Sequence, residues 1–362
     1  MRILTGIDLP YGTPGGSVEL LLDLYLGDRP LIRSDVFMLA PADPGVAVPG
    51  TGPVVLEVEG KTLDGTAFRA YTEKLAAAVG ERFEPGQHDV LHLQHLAFGA
   101  TPALRRAFPG LPGIAVVHGT DLLFAESHPT QAEVLRQTAA EADAVVVPTL
   151  AMADRLIALG APPRGPVVHI PWGVPDALIA AGAGEPRDRE GPLRILYAGR
   201  LTAEKATAPI LALVAGLDGV RLSVAAPPGE YARLAATHDL GNVSYLGWKS
   251  RPELWREFRR HDLLVVPSLR LEAFGLAAVE AQACGLPVAF QAVPGLSEVL
   301  ADSAVAVDFT SPADVAALVG RLRRDPAVLD DRRAAGLANS ARFPVSATAA
   351  ALLTLSAEVA RA

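Results

Sequence analysis

At 362 residues, half of them apolar, the chain is long enough for two domains with substantial cores and is too apolar to be disordered. A formal net charge of −8 argues against a partner read through its phosphate backbone, so no nucleic acid is expected. The single cysteine, Cys284, excludes a disulfide framework and a cysteine-rich zinc site, and its apolar surroundings (AVEAQACG) assign it to the core.

In chain order, the N-terminal MRILTGIDLP reads as a strand, since it lacks the long apolar core and cleavage site of a signal peptide. Strands are predicted at 2–8, 34–39, 54–59, 89–94, 114–118, 143–148 and 167–171, with helices at 17–27, 66–83, 99–108, 130–141 and 150–160. The second half repeats the scheme, with strands at 193–199, 220–225, 243–247, 263–267, 287–291 and 304–307. Strand–helix alternation implies parallel sheets covered on both faces, with ligands beyond the carboxyl ends of the strands. The expected fold class is α/β, two Rossmann-like doubly wound domains facing across a cleft. The boundary falls in Asp176 to Gly191, rich in alanine, glycine, proline and charge. Residues 1–175 then form an N-terminal and 176–344 a C-terminal Rossmann-like domain. Residues 345–362 form a helix. No run of about 18 apolar residues occurs, so no transmembrane helix is expected and a cytoplasmic protein is. The alternating charges of RPELWREFRR (Arg251 to Arg260) read as a solvated helix face.

The stretch SLRLEAFGLAAVEAQACGLP, Ser268 to Pro287, carries the most chemistry. It follows the apolar run at 263–267, sets Glu272 on a strand-to-helix loop, Gly275 at the helix start and Glu280 inside the helix. One carboxylate stands at a cleft mouth, free N–H groups lie behind it, and a second carboxylate sits deeper. That order matches the sugar, diphosphate and ribose of a nucleotide-sugar. Arg200 and Lys205, in GRLTAEK after the 193–199 strand, are cations suited to a diphosphate beside a helix N-terminus. The loop Tyr11 to Gly16 brings Gly15 and Gly16 to another helix start, where the backbone can approach a ligand closely. His118 to Asp121 (HGTD) ends the 114–118 strand.

These segments together resemble the retaining GT-B glycosyltransferases of family 4, the glycosyl transferases group 1. The resemblance rests on GGSVE (Gly15 to Glu19), HGTD, IPWGV (Ile170 to Val174), AGRLTAEK (Ala198 to Lys205) and EAFGLAAVE (Glu272 to Glu280), and spans nearly the whole chain. It implies that Arg200 and Lys205 hold the donor diphosphate, that Glu280 accepts from the ribose hydroxyls, and that Glu272 binds the donor sugar. It further implies contacts from backbone groups of Phe274, Gly275 and Leu276, a loop approach at Gly16, His118 near the reacting centre, and a last helix returning to the N-terminal domain. Two departures stand out: Ala206, where the family has glycine, and Trp172, which either packs in the hinge or stacks on a ligand.

Each residue also has a bland reading. His118 reads equally as a satisfied core histidine, Thr120 and Asp121 as a helix cap, Gly15-Gly16 as a turn. His88, His92 and His95 invite a metal, but strand alternation sends His95 to the face opposite His92, so no metal site is expected. Tyr11, His92, His95 and Asp121 are assigned to acceptor recognition. No paired aspartates suggest a metal-bound diphosphate, so the leaving group would be stabilised by Arg200, Lys205 and a helix N-terminus. The reading is a retaining hexosyltransferase that uses a nucleotide-diphosphate sugar donor, no cofactor, and a small soluble acceptor of the kind met in natural product biosynthesis. Homodimerisation is left open. A nucleotide-sugar epimerase-like enzyme and a non-catalytic nucleotide-sugar-binding subunit are the alternatives.

Overall fold

A computed structural model of the chain describes residues 1–184, 191–202, 207–240 and 242–361. The chain divides into two compact units, Met1–Gly173 with Val345–Ala362, and Val174–Pro344.

The first unit is built on β1 (Ile3–Pro10), β2 (Ser34–Leu39), β3 (Val54–Leu56), β4 (Val90–Gln94), β5 (Gly113–Val116), β6 (Ala144–Val147) and β7 (Val167–His169). All pair in parallel, in the order β3-β2-β1-β4-β5-β6-β7. Helices on both faces bury the central strands from two sides, and Ile3, Leu4, Ile7, Leu91, Leu93, Ile114 and Val145 have no exposed surface. The helix Val345–Val359 belongs to this unit, where Thr348 Oγ1 donates to the Pro171 carbonyl at 2.8 Å.

The second unit contains β8 (Leu193–Ala198), β9 (Val220–Ala225), β10 (Val243–Tyr245), β11 (Leu263–Val266), β12 (Val288–Phe290) and β13 (Val305–Ala306), in the order β10-β9-β8-β11-β12-β13. All are parallel, and Ile195, Leu222, Val224, Leu263 and Phe309 share one apolar core. Arg194 clamps β8 to the residue before β11, its Nε 3.0 Å from Asp262 Oδ2 and a terminal guanidinium nitrogen 2.9 Å from Oδ1. Counted within each unit, the second sheet runs 3-2-1-4-5-6, the Rossmann order, and the first runs the same with a seventh strand added at the end, each with the switch point between first and fourth strands.

Two elements depart from the sequence reading. Asp176–Ala181 is a helix with Leu178 buried, where a linker was expected; the charged part of that segment, 185–190, lies outside the described residues. Thr120–Ser127 is also a helix. Its apolar residues Leu122 to Ala125 form one run without helical spacing, so no periodicity betrays it.

Candidate functional site

In the second unit the switch point lies between β8 and β11. The loop after β11 carries Glu272, half-buried, whose Oε2 accepts from Ser268 Oγ at 3.2 Å. Its backbone is gripped from behind. A Cβ on Gly295 would lie 1.9 Å from the Glu272 carbonyl oxygen, and Gly295 has φ of 87°. Only glycine allows that approach. Phe274 turns its side chain into the core, 5.2 Å from the Phe343 ring, which leaves its backbone on the loop. Gly275, with φ of 83°, ends the loop and caps the helix Leu276–Ala283. No side chain caps this helix, so its leading N–H groups face away from any protein carboxylate or hydroxyl cap.

Glu280, inside that helix, is 4 % exposed, and both its oxygens are engaged. Arg251 donates to Oε1 from Nε at 2.9 Å and from a terminal nitrogen at 2.5 Å, and Trp255 Nε1 donates to Oε2 at 3.0 Å. Arg251 also lies over the Trp255 ring, 5.7 Å from its centroid. Both partners lie on the helix Arg251–Phe258, whose start is pinned by a capping box between Ser250 and Glu253. This corrects the reading of that helix as merely solvated: Arg251 has only 12 % of its side chain exposed. The signal was the i, i+4 spacing of Arg251 and Trp255, which puts both on one helix face.

Arg200 follows β8 as expected but is already paired. Its Nε lies 3.1 Å from Glu230 Oε1, and the other Glu230 oxygen accepts from the Leu201 N–H at 2.5 Å. Half of the Arg200 side chain is exposed. Lys205 and Ala206 lie outside the described residues.

In the first unit, Gly15 and Gly16 open the helix Gly16–Tyr25, again with no side-chain cap. A Cβ on Gly15 would meet nothing within 4 Å, so the protein's own packing does not require glycine there. Tyr11 is half-buried, its N–H bonded to the Leu39 carbonyl at 2.9 Å.

The histidines are arranged differently from the sequence expectation. The alternation that would send His95 away from His92 ends with β4 at Gln94, because His95 adopts a left-handed φ of 68°. Its ring then lies 4.5 Å from that of His118. His118 in turn stacks on Trp172, 5.5 Å away at 26°, so the unusual tryptophan packs on the candidate histidine. His118 Nε2 lies 2.8 Å from Gln94 Oε1. Burial pushes the imidazole of His118 down to a pKa of about 3 and that of His95 well below its ordinary value, helped there by His118 and Lys61. Both rings are neutral at physiological pH.

Two acceptor assignments are corrected. His92 has no exposed surface, and its ring nitrogens are taken by Tyr25 OH at 2.8 Å and Ser356 Oγ at 2.7 Å, so it belongs to the core. Asp121 is likewise fully buried and accepts from the N–H groups of Leu96 at 2.9 Å and Leu122 at 3.1 Å, organising the loop. Burial raises its pKa against the pull of those backbone donors. The sequence reading also passed over Lys61. It pairs with the Asp8 carboxylate at 3.2 Å at the end of β1 and lies 5.9 Å from the Phe98 ring centroid. Among the described residues no group of three or more His, Cys, Asp or Glu is placed to hold a metal, and no helix is long and apolar enough to cross a membrane.

Two Rossmann-order parallel sheets, each with polar groups and an uncapped helix start at the carboxyl ends of its strands, are the building blocks of the GT-B fold. Residues 30–178 match the Glycosyltransferase Family 4 model and residues 184–340 the Glycosyl transferases group 1 model. The D-inositol 3-phosphate glycosyltransferase of Mycolicibacterium smegmatis is 32% identical over 343 residues, covering 87% of this chain and 77% of its own. D-inositol 3-phosphate glycosyltransferase 1 of Catenulispora acidiphila is 33% identical over 297 residues, covering 72% and 69%. Among solved structures, sucrose-phosphate synthase from Thermosynechococcus elongatus superimposes with a TM-score of 0.78 at 18% identity, over 99% of this chain and 98% of its own. Anabaena HepE in complex with UDP and glucose gives 0.74 at 19%, over 98% and 99%; at these identities the likeness is one of fold. The chain belongs to the group 1, family 4 glycosyl transferases.

Proposed function

We propose that the protein is a retaining, metal-independent glycosyltransferase that moves a sugar from a nucleotide-diphosphate sugar to a small soluble acceptor. The observation that carries this reading is the junction after β11: Glu272 buttressed by Gly295, an uncapped helix start at Gly275, and the buried Glu280 carboxylate behind it. Glu272 positions the sugar hydroxyls, the helix N-terminus and Arg200, with Lys205, offset the charge of the leaving diphosphate, and Glu280 receives the ribose. The bond from the anomeric carbon to the phosphate oxygen breaks as the acceptor oxygen bonds to the same face. The acceptor proton passes to the departing phosphate. No cofactor takes part. The relatives' names make a phosphorylated cyclitol the first acceptor to try.

The test is thermal stabilisation by UDP, GDP, ADP and dTDP in EDTA, followed by transfer from the matching nucleotide-sugar with the anomeric configuration of the product read by NMR. A shift with one nucleotide and a retained configuration are expected. No shift at millimolar nucleotide, or inversion, overturns the reading.

A further inference from the structure

His92, corrected above to a core residue, is one link in a buried chain of hydrogen bonds that ends on His118. The direction of every proton in that chain follows from its two ends. The Leu352 carbonyl can only accept, so Ser356, whose Oγ lies 2.6 Å away, spends its hydroxyl proton there. Ser356 Oγ must then accept from His92 Nε2 at 2.7 Å. His92 is neutral, its pKa pushed down to about 3 by burial, so with the proton on Nε2 its Nδ1 accepts. Tyr25 therefore donates its hydroxyl proton to His92 Nδ1 at 2.8 Å. A second branch runs through Thr5, whose hydroxyl donates to the His92 carbonyl at 2.7 Å.

Tyr25 and Thr5 thus both turn proton-free oxygens toward Gln94. The Gln94 group that meets them, 3.1 Å from Thr5 Oγ1 and 3.3 Å from Tyr25 OH, must be the amide NH2. Two independent oxygens fix the amide orientation, which a lone glutamine would leave open. The amide oxygen then faces His118, and because it only accepts, His118 Nε2 must be the donor. Nδ1 has no partner among the described residues, and His118 retains exposed surface.

We propose that Ser356, His92, Tyr25, Thr5 and Gln94 are positioning residues that hold His118 in the Nε2–H tautomer, so that it offers the Nδ1 lone pair to a ligand hydroxyl. The ligand side of this inference rests on the glycosyltransferase reading; the tautomer does not. A histidine so held selects a hydroxyl and disfavours a bare phosphate oxygen, which has no proton to give at that position. The hydroxyl belongs either to the donor sugar or to the acceptor.

The first test needs no variant. In protein carrying 15N-histidine, the ring resonances of His118, assigned by their loss in His118→Asn, should report a protonated Nε2 and a bare Nδ1 at neutral pH. A proton on Nδ1, or an imidazolium, overturns the proposal whether or not the protein transfers sugar. The second test is Gln94→Leu, with Tyr25→Phe as the milder variant. Gln94→Leu should lower kcat by roughly 10- to 100-fold, more than it changes the donor KM, and should let the Nδ1–H form appear in the spectrum. Tyr25→Phe, which leaves the Thr5 branch intact, should cost several-fold. If donor hydrolysis without acceptor slows as much as transfer, the hydroxyl is the donor sugar's; if transfer alone slows, it is the acceptor's. A Gln94→Leu protein that keeps both the wild-type kcat and the wild-type ring spectrum overturns the proposal.

Discussion

The two units solve the same problem, a polar cluster at the carboxyl ends of a parallel sheet, with opposite electrostatics. In the first unit the side chains linked to the His118 ring are neutral and joined in a hydrogen-bond chain that reaches the last helix, with the charged Lys61–Asp8 pair and Asp121 standing outside that chain. In the second they are ionic, with Glu280 held by Arg251 and Glu230 by Arg200. A neutral chain fixes which way each proton points, and so suits a site that must orient a hydroxyl. Paired charges keep full charges available at low cost of rearrangement, and so suit a site that must meet a charged ligand.

The comparison can be broken most forcefully at Glu280. Removing one partner of a buried pair costs ~3–5 kcal/mol, so Glu280→Leu should lower the unfolding free energy by about that much and abolish nucleotide binding. The double variant Arg251→Met with Glu280→Leu should recover much of the stability and none of the binding. Urea denaturation with nucleotide titration reads both, and a single variant as stable as the wild type would mean that the pair is not held as described. Next comes Gly295→Ala. The left-handed backbone alone costs about 1–2 kcal/mol, and the contact with the Glu272 carbonyl adds to it, so sugar-dependent binding should weaken with nucleotide binding less affected.

The neutral half is tested by pH. The folded pKa values of His92 and His118 are pushed down to about 3 from an ordinary value of 6.5. Below pH 6.5 the unfolded chain takes up protons that the folded protein refuses, so stability is full above that pH and falls as pH drops toward 3. The expected slope is up to ~1.4 kcal/mol per pH unit for each histidine. Denaturation midpoints at a series of pH values check this, and a flat profile between pH 6.5 and 5 would show that the rings protonate in place. The smallest effect belongs to Glu230→Gln. Because Arg200 is half exposed, its pair contributes no more than ~1 kcal/mol, and stability should shift within that limit. Nucleoside diphosphate affinity should rise slightly as a competitor for Arg200 is lost, an effect that salt should erase. Weaker binding would mean that Glu230 shapes the loop through the Leu201 N–H more than it competes.

Much of this was legible in the sequence, and some was not, for identifiable reasons. Strands buried on both faces announce themselves as apolar runs, and glycines before helices mark the loops, so both sheets and the Glu272–Gly275 junction could be read directly. The helix Thr120–Ser127 was missed because its apolar residues do not recur at helical spacing. The place of His95 could not be read from alternation, which holds only while a strand lasts, and β4 ends one residue earlier.

The sequence by itself therefore determined what depends on neighbours along the chain: element periodicity, turn chemistry, and the loops at the carboxyl ends of the parallel strands. Tertiary structure alone decided what depends on distant partners. His92 became a core residue only when it met Tyr25, 67 positions away, and Ser356, 264 positions away. Glu280 acquired Arg251 from 29 positions away. The proton on a histidine and the partner of a buried carboxylate are set by what packs against them, and local pattern carries no record of that.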